Sequence, residues 1–505
     1  MKIITLNDLA QKIQKLKKDK KKIVLSHGVF DLIHPGHLRH FKEAKNHGDI
    51  LIVSITPDRF VNKGPGRPYF NENLRMESLS NLSIVDFVTL NNSPTAVNLI
   101  KKLQPDIYCK GPDYRNHERD VSGEIKNEVN AIKSVKGKII YTKNITFSSS
   151  NLLNNFYDLF SDSQKKYISK IKKNFSFETI RTEIEKLKNI KVLVIGETII
   201  DEYVFCDALG KSGKEPVLMS RNLKIEKYLG GAAAISRNIS TFCKKLTLLT
   251  VLGEKKEYLN FINSKLEKNI KLKFISKKNS PTIIKRRYLD YISKNKIFGT
   301  YEINDDNLNL IQEKKLQELI LKEIPKHDLV IVSDYGHGFI SQKIAKLLST
   351  KSNYLALNAQ INAANIGFHT MRNYKEVNCV IINEKELRHE LRDRNSAIEN
   401  LMKKLSQDQK IDRLVVTQGK NGSLLYDLKK DFFERCDAFA KKTIDKIGAG
   451  DTMLSIAAMC FYKKMQNNLA MFISSLAAAN SVESLANKNI ISKKLILKSI
   501  ENSLK

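Results

Sequence analysis

The chain has few cysteines, six in 505 residues, and no two of them form a C-x-x-C pair. Cys109, Cys206, Cys243, Cys379, Cys436 and Cys460 stand far apart, which argues against zinc and against a disulfide framework and suits a reducing cytoplasm. The opening stretch "MKIITLNDLAQKIQKLKKDKKK" carries no apolar core of signal-peptide length. No segment reaches the roughly 20 apolar residues that a membrane helix needs. Internal repeats are absent, and low complexity is limited to short lysine runs. These absences predict a soluble cytoplasmic protein with no membrane partner.

Charge is lopsided, with a net +32 and a pI near 9.6. A basic surface recruits polyanions, so nucleic acid is one reading. The other is a solvated lysine surface. The lysines are scattered along the whole chain and no aromatic stripe interleaves them, which favours the second reading and predicts no nucleic-acid partner. Small phosphorylated substrates would still benefit from the field. The length exceeds one ordinary domain, and a hydrophobic fraction of 42% is enough for real cores.

From about residue 22 to 150, strand-like runs ("KIVLSHGVF", "DILIVSIT", "VDFVTL", "PDIYCKG", "GKIIYTKN") alternate with helical patterns. Such alternation predicts a parallel sheet with helices on its faces, and ligands sit outside the carboxyl ends of its strands. Residues 156–188 read as a polar helical connector between a domain at 1–155 and another at 189–505. "KVLVIGETIID" opens the second α/β unit, and "PVLMSRNLKIEKYLGG" and "TIIKRRYLDYISKNKIFGTYEI" alternate like strands of a small antiparallel sheet.

Two stretches carry chemistry. "HGVFDLIHPGHLRHF" follows the first strand, with His34 and His37 around a Pro-Gly turn that starts a helix. Helix N-termini bind phosphate, and two imidazoles there suit nucleotidyl transfer, although the tetrapeptide alone also fits an ordinary polar turn. In "TIDKIGAGDTMLSIAAMCFY", Gly448, Ala449 and Gly450 allow a curl of N–H groups at the start of an apolar helix, an anion hole for a transferring phosphoryl group. Asp451, just inside that helix, is placed to act as general base.

Further motifs sharpen both. "NKGPGRP" (residues 62–68), "ENLRME", "KGPDY" and "TFSSSN" follow HPGH in order, and the segment 22–155 resembles the cytidylyltransferase-like nucleotidyltransferases, in particular the adenylyltransferase half of bacterial ADP-heptose synthases. The resemblance implies that His34 and His37 contact the triphosphate and that Lys63, Arg75 and Ser148, Ser149 and Ser150 hold phosphates. It also implies nucleotide contacts for Gly28, Phe30 and Asp31, with Asp31 bracing the turn. The HIGH signature of class I aminoacyl-tRNA synthetases is also similar, but no KMSKS-like loop accompanies it here. In the second unit, "YLGGAAA", "SDYGHG", "INEKE" and "TQGKNG" together with GAGD resemble the ribokinase/PfkB sugar kinases over roughly 190–500, closest to the kinase half of the same synthases. The resemblance implies Asp451 as base, Gly448–Gly450 as anion hole and Asn383 with Glu386 ordering Mg²⁺. It further implies Asp201, Gly230 and Gly231 on the sugar, Lys285 and Arg287 on its anionic group, and Thr417, Gly419 and Gly422 by the nucleotide.

The implied fold is α/β: a Rossmann-like nucleotidyltransferase domain followed by a ribokinase-like domain with a small antiparallel β lid. The implied activity is bifunctional, a sugar kinase using ATP and a transferase joining a sugar 1-phosphate to ATP, with Mg²⁺ at both steps. A CTP-dependent enzyme making a CDP-alcohol, or a sugar-phosphate sensor in place of the kinase, are the alternatives. Ribokinase-like lids often pair, which implies a homodimer. Four departures stand out: Ala234 where asparagine is expected, Asn358-Ala359-Gln360 for Asp-Pro-Lys, Ile447 for threonine, and a reversed domain order. They predict intact phosphoryl chemistry around an altered sugar pocket.

Overall fold

The computed structural model describes residues 2–115, 123–143 and 160–505. The chain divides into two compact units, Met1–Asp162 with Leu497–Lys505, and Ser163–Ile496.

In the first unit, β1 (Ile23–Gly28), β2 (Ile50–Ile55), β3 (Phe87–Leu90), β4 (Ile107–Lys110) and β5 (Lys138–Tyr141) form a parallel sheet in the order β3-β2-β1-β4-β5. All five predicted strands are present. Consecutive strand residues point to opposite faces, so Leu25 and Ile52 pack with Leu9, Leu99 and Ile132 on one side. Val24, Leu51 and Val53 pack with Phe41, Leu79 and Val88 on the other. The order reverses between β1 and β4, and a crevice opens at the carboxyl ends of such neighbours. His27, Gly28 and Lys110 lie at those ends.

The second unit contains β6 (Lys191–Gly196), β7 (Thr198–Lys211), β8 (Leu218–Gly230), β9 (Lys245–Gly253), β10 (Ile270–Lys277), β11 (Ile284–Asp290) and β12 (Lys296–Glu302). It continues with β13 (Leu329–Asp334), β14 (Leu355–Ala359), β15 (Cys379–Asn383), β16 (Arg413–Thr417), β17 (Ser423–Asp427) and β18 (Phe432–Cys436). Nine of these form the main sheet, β10-β9-β6-β13-β14-β15-β16-β17-β18, parallel up to β16 and antiparallel beyond. The reversal falls between β6 and β13. The small sheet, β12-β11-β7-β8, has the expected antiparallel pairs at its two sides, while its central pair β7–β11 runs parallel. Helices Ala449–Tyr462 and Asn467–Val482 are apolar almost all round and are buried accordingly.

The segment read as a connector is helical at Asp162–Asn174 and Phe177–Glu185, but it is not free-standing. Tyr167 donates its hydroxyl to the Asn468 carbonyl at 3.0 Å, and Lys170 pairs with Glu434 at 2.9 Å. Ile168 and Ile171 are buried beside them, so this helix belongs to the second unit. Removing a buried isoleucine to alanine costs about 2–5 kcal/mol. Ile171→Ala is therefore expected to lower the urea midpoint of the second unit, whereas an exposed control, Lys172→Ala, should leave it within about 0.5 kcal/mol.

Candidate active sites

At the first crevice, His34 caps the helix Pro35–Lys45, its Nδ1 accepting the Gly36 N–H at 3.1 Å. An imidazole that accepts at Nδ1 carries its proton on Nε2, and that atom is buried with no partner among the described residues. The His37 ring stacks on it at 3.9 Å between centroids. Burial, with His34 and Lys63 adding to it, pushes His37 down to about 3, and burial with Lys63 lowers His34 as well. Both rings are thus neutral at physiological pH. His34 can donate its Nε2–H to a phosphate without having to lose or gain a proton first, while the His37 ring is also engaged by the Leu32 backbone.

Two residues expected to meet the nucleotide are placed otherwise. Arg75 is buried, and its guanidinium donates to the carbonyls of Val29 (2.5 Å), Thr56 (2.9 Å) and Phe70 (3.0 Å) and to Asp58 (2.5 Å). A guanidinium with those donors committed ties the loops after β1 and β2 together and does not reach a phosphate. Phe30 turns inward, edge-on to Phe41 and His37 at 5.1 and 5.3 Å, with Gly28 against its ring. Asp31 braces the turn as expected, taking the N–H groups of Tyr69 (2.7 Å) and Phe70 (3.0 Å) and pairing with Arg67 at 3.3 Å. Its carboxylate is therefore spent on the protein. Ser148, Ser149 and Ser150 lie outside the described residues.

The structure adds groups from the quoted stretches to which the sequence reading gave no role. His40 bridges Ser26 (2.8 Å) and Thr142 (3.1 Å), His27 lies 3.3 Å from Ser54, and Lys110 pairs with Glu128 at 3.0 Å below them. The third-residue spacing of His34, His37 and His40 on one helix was the available signal.

In the second unit, Gly448 caps the helix Ala449–Tyr462 at φ +84°, where a Cβ would also strike Asn487. Gly450 has open space where a Cβ would be, so its backbone is free to approach a ligand. Asp451 is aimed from this first turn at Tyr335, whose hydroxyl donates to both carboxylate oxygens, at 2.7 and 2.8 Å. Burial pushes Asp451 up to about 6. The Tyr335 hydrogen bond and Lys285 oppose that rise, and Asp201 reinforces it.

The small sheet delivers the other charges. Lys285 stands opposite Asp201 in the β7–β11 register. Arg287, two residues on and hence on the same face, pairs with Asp201 at 2.7 Å. Lys285 lies 5.1 and 5.2 Å from the ring centres of Tyr301 and Tyr335, and burial pushes it down to about 8. Gly230 is needed because the Asp201 carboxylate would meet its Cβ at 2.2 Å, and Gly231, at φ +60°, faces the Glu197 carbonyl. Sequence reasoning joined Asp201, Lys285, Arg287 and Asp451, and the fold brings them together. It missed Tyr335 as part of the group.

Asn383 and Glu386 form a capping box at the helix Glu384–Leu391. Glu386 accepts N–H groups from Asn383 (2.8 Å) and Ile361 (3.3 Å), and burial raises it to about 7. Among the described residues no group of three or more His, Cys, Asp or Glu forms a metal cluster. Thr417 pairs with Asn383 across β15–β16, and Gly422, at φ +83°, turns the chain where a Cβ would strike the Cys436 carbonyl. Gly419 has open space where a Cβ would be.

Residues 189–491 match the model for pfkB family carbohydrate kinases. The chain belongs to that family. Residues 25–155, ahead of the kinase unit, match the cytidylyltransferase-like model. A Campylobacter jejuni protein named bifunctional protein HldE is 26% identical over 304 residues, 59% of this chain and 62% of that protein. The protein of the same name from Campylobacter concisus is 40% identical over 123 residues, 24% of this chain and 26% of its own length. Each match thus spans less than two thirds of the relative. Phosphofructokinase-2 from Escherichia coli, in complex with potassium, superposes with a TM-score of 0.50 at 14% identity, covering 63% of this chain and all of that one, a likeness of fold.

The buried imidazoles make the first unit sensitive to acid. Burial is the main cause that holds His27, His37 and His40 down, at about 4, 3 and 4, against 6.5 in the unfolded chain. The unfolded state takes up protons first, so their contribution is complete above pH 6.5 and is lost as pH falls toward 4. At pH 5 the loss is on the order of 5 kcal/mol. Urea unfolding of the first unit should weaken steeply across that window, and His40→Asn should flatten the slope.

Proposed function

We propose that this chain is a bifunctional enzyme of nucleotide-sugar synthesis, a sugar-phosphate kinase and a sugar-1-phosphate nucleotidyltransferase. The observation that carries it is the Asp451 carboxylate, buried beside an open glycine at a helix N-terminus and poised near pH 6. At the kinase site the acceptor hydroxyl gives its proton to Asp451 and attacks the γ-phosphorus of ATP. The N–H groups of Gly448–Gly450 receive the charge that spreads over the equatorial oxygens, and ADP leaves. Lys285 and Arg287 hold the sugar's anionic group, and Asp201 with the Gly230–Gly231 backbone holds its hydroxyls. Thr417, Gly419 and Gly422 line the nucleotide side.

Magnesium fits this site as a companion of the nucleotide. Asn383 and Glu386 would hold its waters, since Glu386 keeps free lone pairs and a nearby cation would ionise it. The ion neutralises phosphate charge when bound. At the other site the sugar 1-phosphate oxygen attacks the α-phosphorus of ATP and pyrophosphate leaves, with His34, His37 and Lys63 binding the triphosphate. The likeness to HldE proteins favours a heptose or a related sugar. Six free, buried cysteines suit the cytoplasm, and among the described residues no helix is long and apolar enough to cross a membrane. Exposed apolar residues on the small sheet, among them Leu218, Ile225 and Phe298, support a homodimer.

The test is a screen of sugar phosphates with ATP and CTP, products identified by mass. Asp451→Asn should lower kinase turnover by about 10² or more and leave nucleotidyl transfer unchanged, with His37→Ala doing the reverse. Kinase kcat/KM should fall as pH drops below about 6, where Asp451 takes up a proton. Loss of both activities in either folded variant would defeat the assignment.

A further inference from the structure

We propose that Tyr335 is the positioning residue of the kinase site, its hydroxyl keeping Asp451 aimed and ionised, and that the amide-rich run Asn358–His369 serves to hold Tyr335 in place. The inference rests on the kinase reading above and deepens it.

Tyr335 is buried, and each of its polar atoms is held. Its N–H donates to Glu197 at 3.0 Å. Its carbonyl accepts from two side-chain amides, Asn362 at 2.9 Å and Asn365 at 2.8 Å. Its hydroxyl spans both oxygens of Asp451. The next residue, Gly336, sits at φ +66°, where a Cβ would meet Asn365 and His369 at 2.6 and 2.8 Å. The turn and the run "NAQINAANIGFH" are therefore fitted to each other. A buried packing tyrosine needs one partner for its hydroxyl, whereas this one is fixed at both ends of its backbone and delivers its single proton to the base.

The chemistry of that contact has one direction. Burial pushes the Tyr335 phenol well above its usual range, so it stays protonated and acts only as a donor. A donor to a carboxylate stabilises the charged form. The other groups around Asp451 are Asp201 of β7, Lys285 of β11 and Glu386 at the start of its helix. Arg287 is paired with Asp201, Asp334 of β13 is held by Tyr374 at 2.7 Å, and Arg237 of the helix Gly231–Ser240 lies 3.6 Å from Glu267. All of these remain when the Tyr335 hydroxyl is removed, so a change in Asp451 titration reports that hydroxyl.

Tyr335→Phe in the full chain is the test. Kinase kcat/KM against pH is measured with ATP and the best wild-type acceptor among fructose 6-phosphate, sedoheptulose 7-phosphate and mannoheptose 7-phosphate. The acid limb should move up by about one pH unit, with activity at pH 6.5 down roughly 3-fold and largely recovered at pH 8.5. In parallel, the ligand-free protein labelled with ¹³C at aspartate carboxyls is titrated by NMR, Asp451→Asn supplying the assignment. The Asp451 signal should titrate about one unit higher in Tyr335→Phe, and shift in the same direction in the Asn362→Ala/Asn365→Ala double variant. An equal loss of activity at every pH, or an unmoved Asp451 titration, overturns the proposal. If wild type phosphorylates none of the acceptors, the kinase reading is what fails, and the ligand-free titration still decides the role of Tyr335. If Tyr335→Phe does not fold, the double variant decides, and an unmoved signal there overturns the proposal.

Discussion

Asp201 and Arg287 meet at 2.7 Å above the α-carbon of Gly230, and the electrostatics of the kinase site are organised around that pair. Burial raises Asp201, and Arg287 is what opposes the rise. With Arg287 so engaged, Lys285 is the cation that acts on Asp451 as well as on Asp201. Two carboxylates and two cations therefore share a water-poor pocket in near balance. A pocket of that kind tolerates a buried carboxylate because its charges compensate one another, and a carboxyl near pH 6 is ionised at neutral pH yet more basic than an exposed one. The whole arrangement depends on β7 and β11 running parallel, since that register sets Lys285 opposite Asp201.

The first unit is built in another way. Its acidic and guanidinium side chains, Asp31, Arg67 and Arg75, are consumed in holding loops shut. What remains at the mouth of the crevice is a pair of stacked neutral imidazoles at a helix N-terminus, with a buried N–H at His34 Nε2 that lacks a partner among the described residues. Neutral donors can gain strength as charge develops on a bound group, and Lys63, which acts on both rings, is the cation beside them.

How much of this the sequence disclosed depends on how local each feature is. HPGH and GAGD were legible because a turn, a helix start and the adjacent side chain lie within a few residues. The parallel strands were legible from alternation alone. Arg75 was misread because its role depends on three carbonyls that only the folded loops bring together. Tyr335 lies in the quoted motif SDYGHG, but its contact with Asp451, 116 residues away, was not legible for the same reason. Asn383 and Glu386 show a different limit. An Asn with Glu three residues later is the signature of a capping box, and the cap is what the two side chains form, so any role at a metal is added to a structural one.

The departures from the family pattern can now be separated by what each side chain does. Asn358 donates its amide to the Ile381 carbonyl at 2.7 Å, tying β14 to β15, and Ala234 is buried within the helix Gly231–Ser240. Ala234 offers no polar group, and the amide nitrogen of Asn358 is taken by a backbone carbonyl. A sugar hydroxyl that relied on those positions would be left without a partner, and leaving such a group unpaired is what discriminates strongly between substrates. Asn362 and Asn365, in the same run, are instead turned onto Tyr335. The altered segment thus ties β14 to β15 and holds Tyr335 from behind, so its amides serve the protein's own backbone.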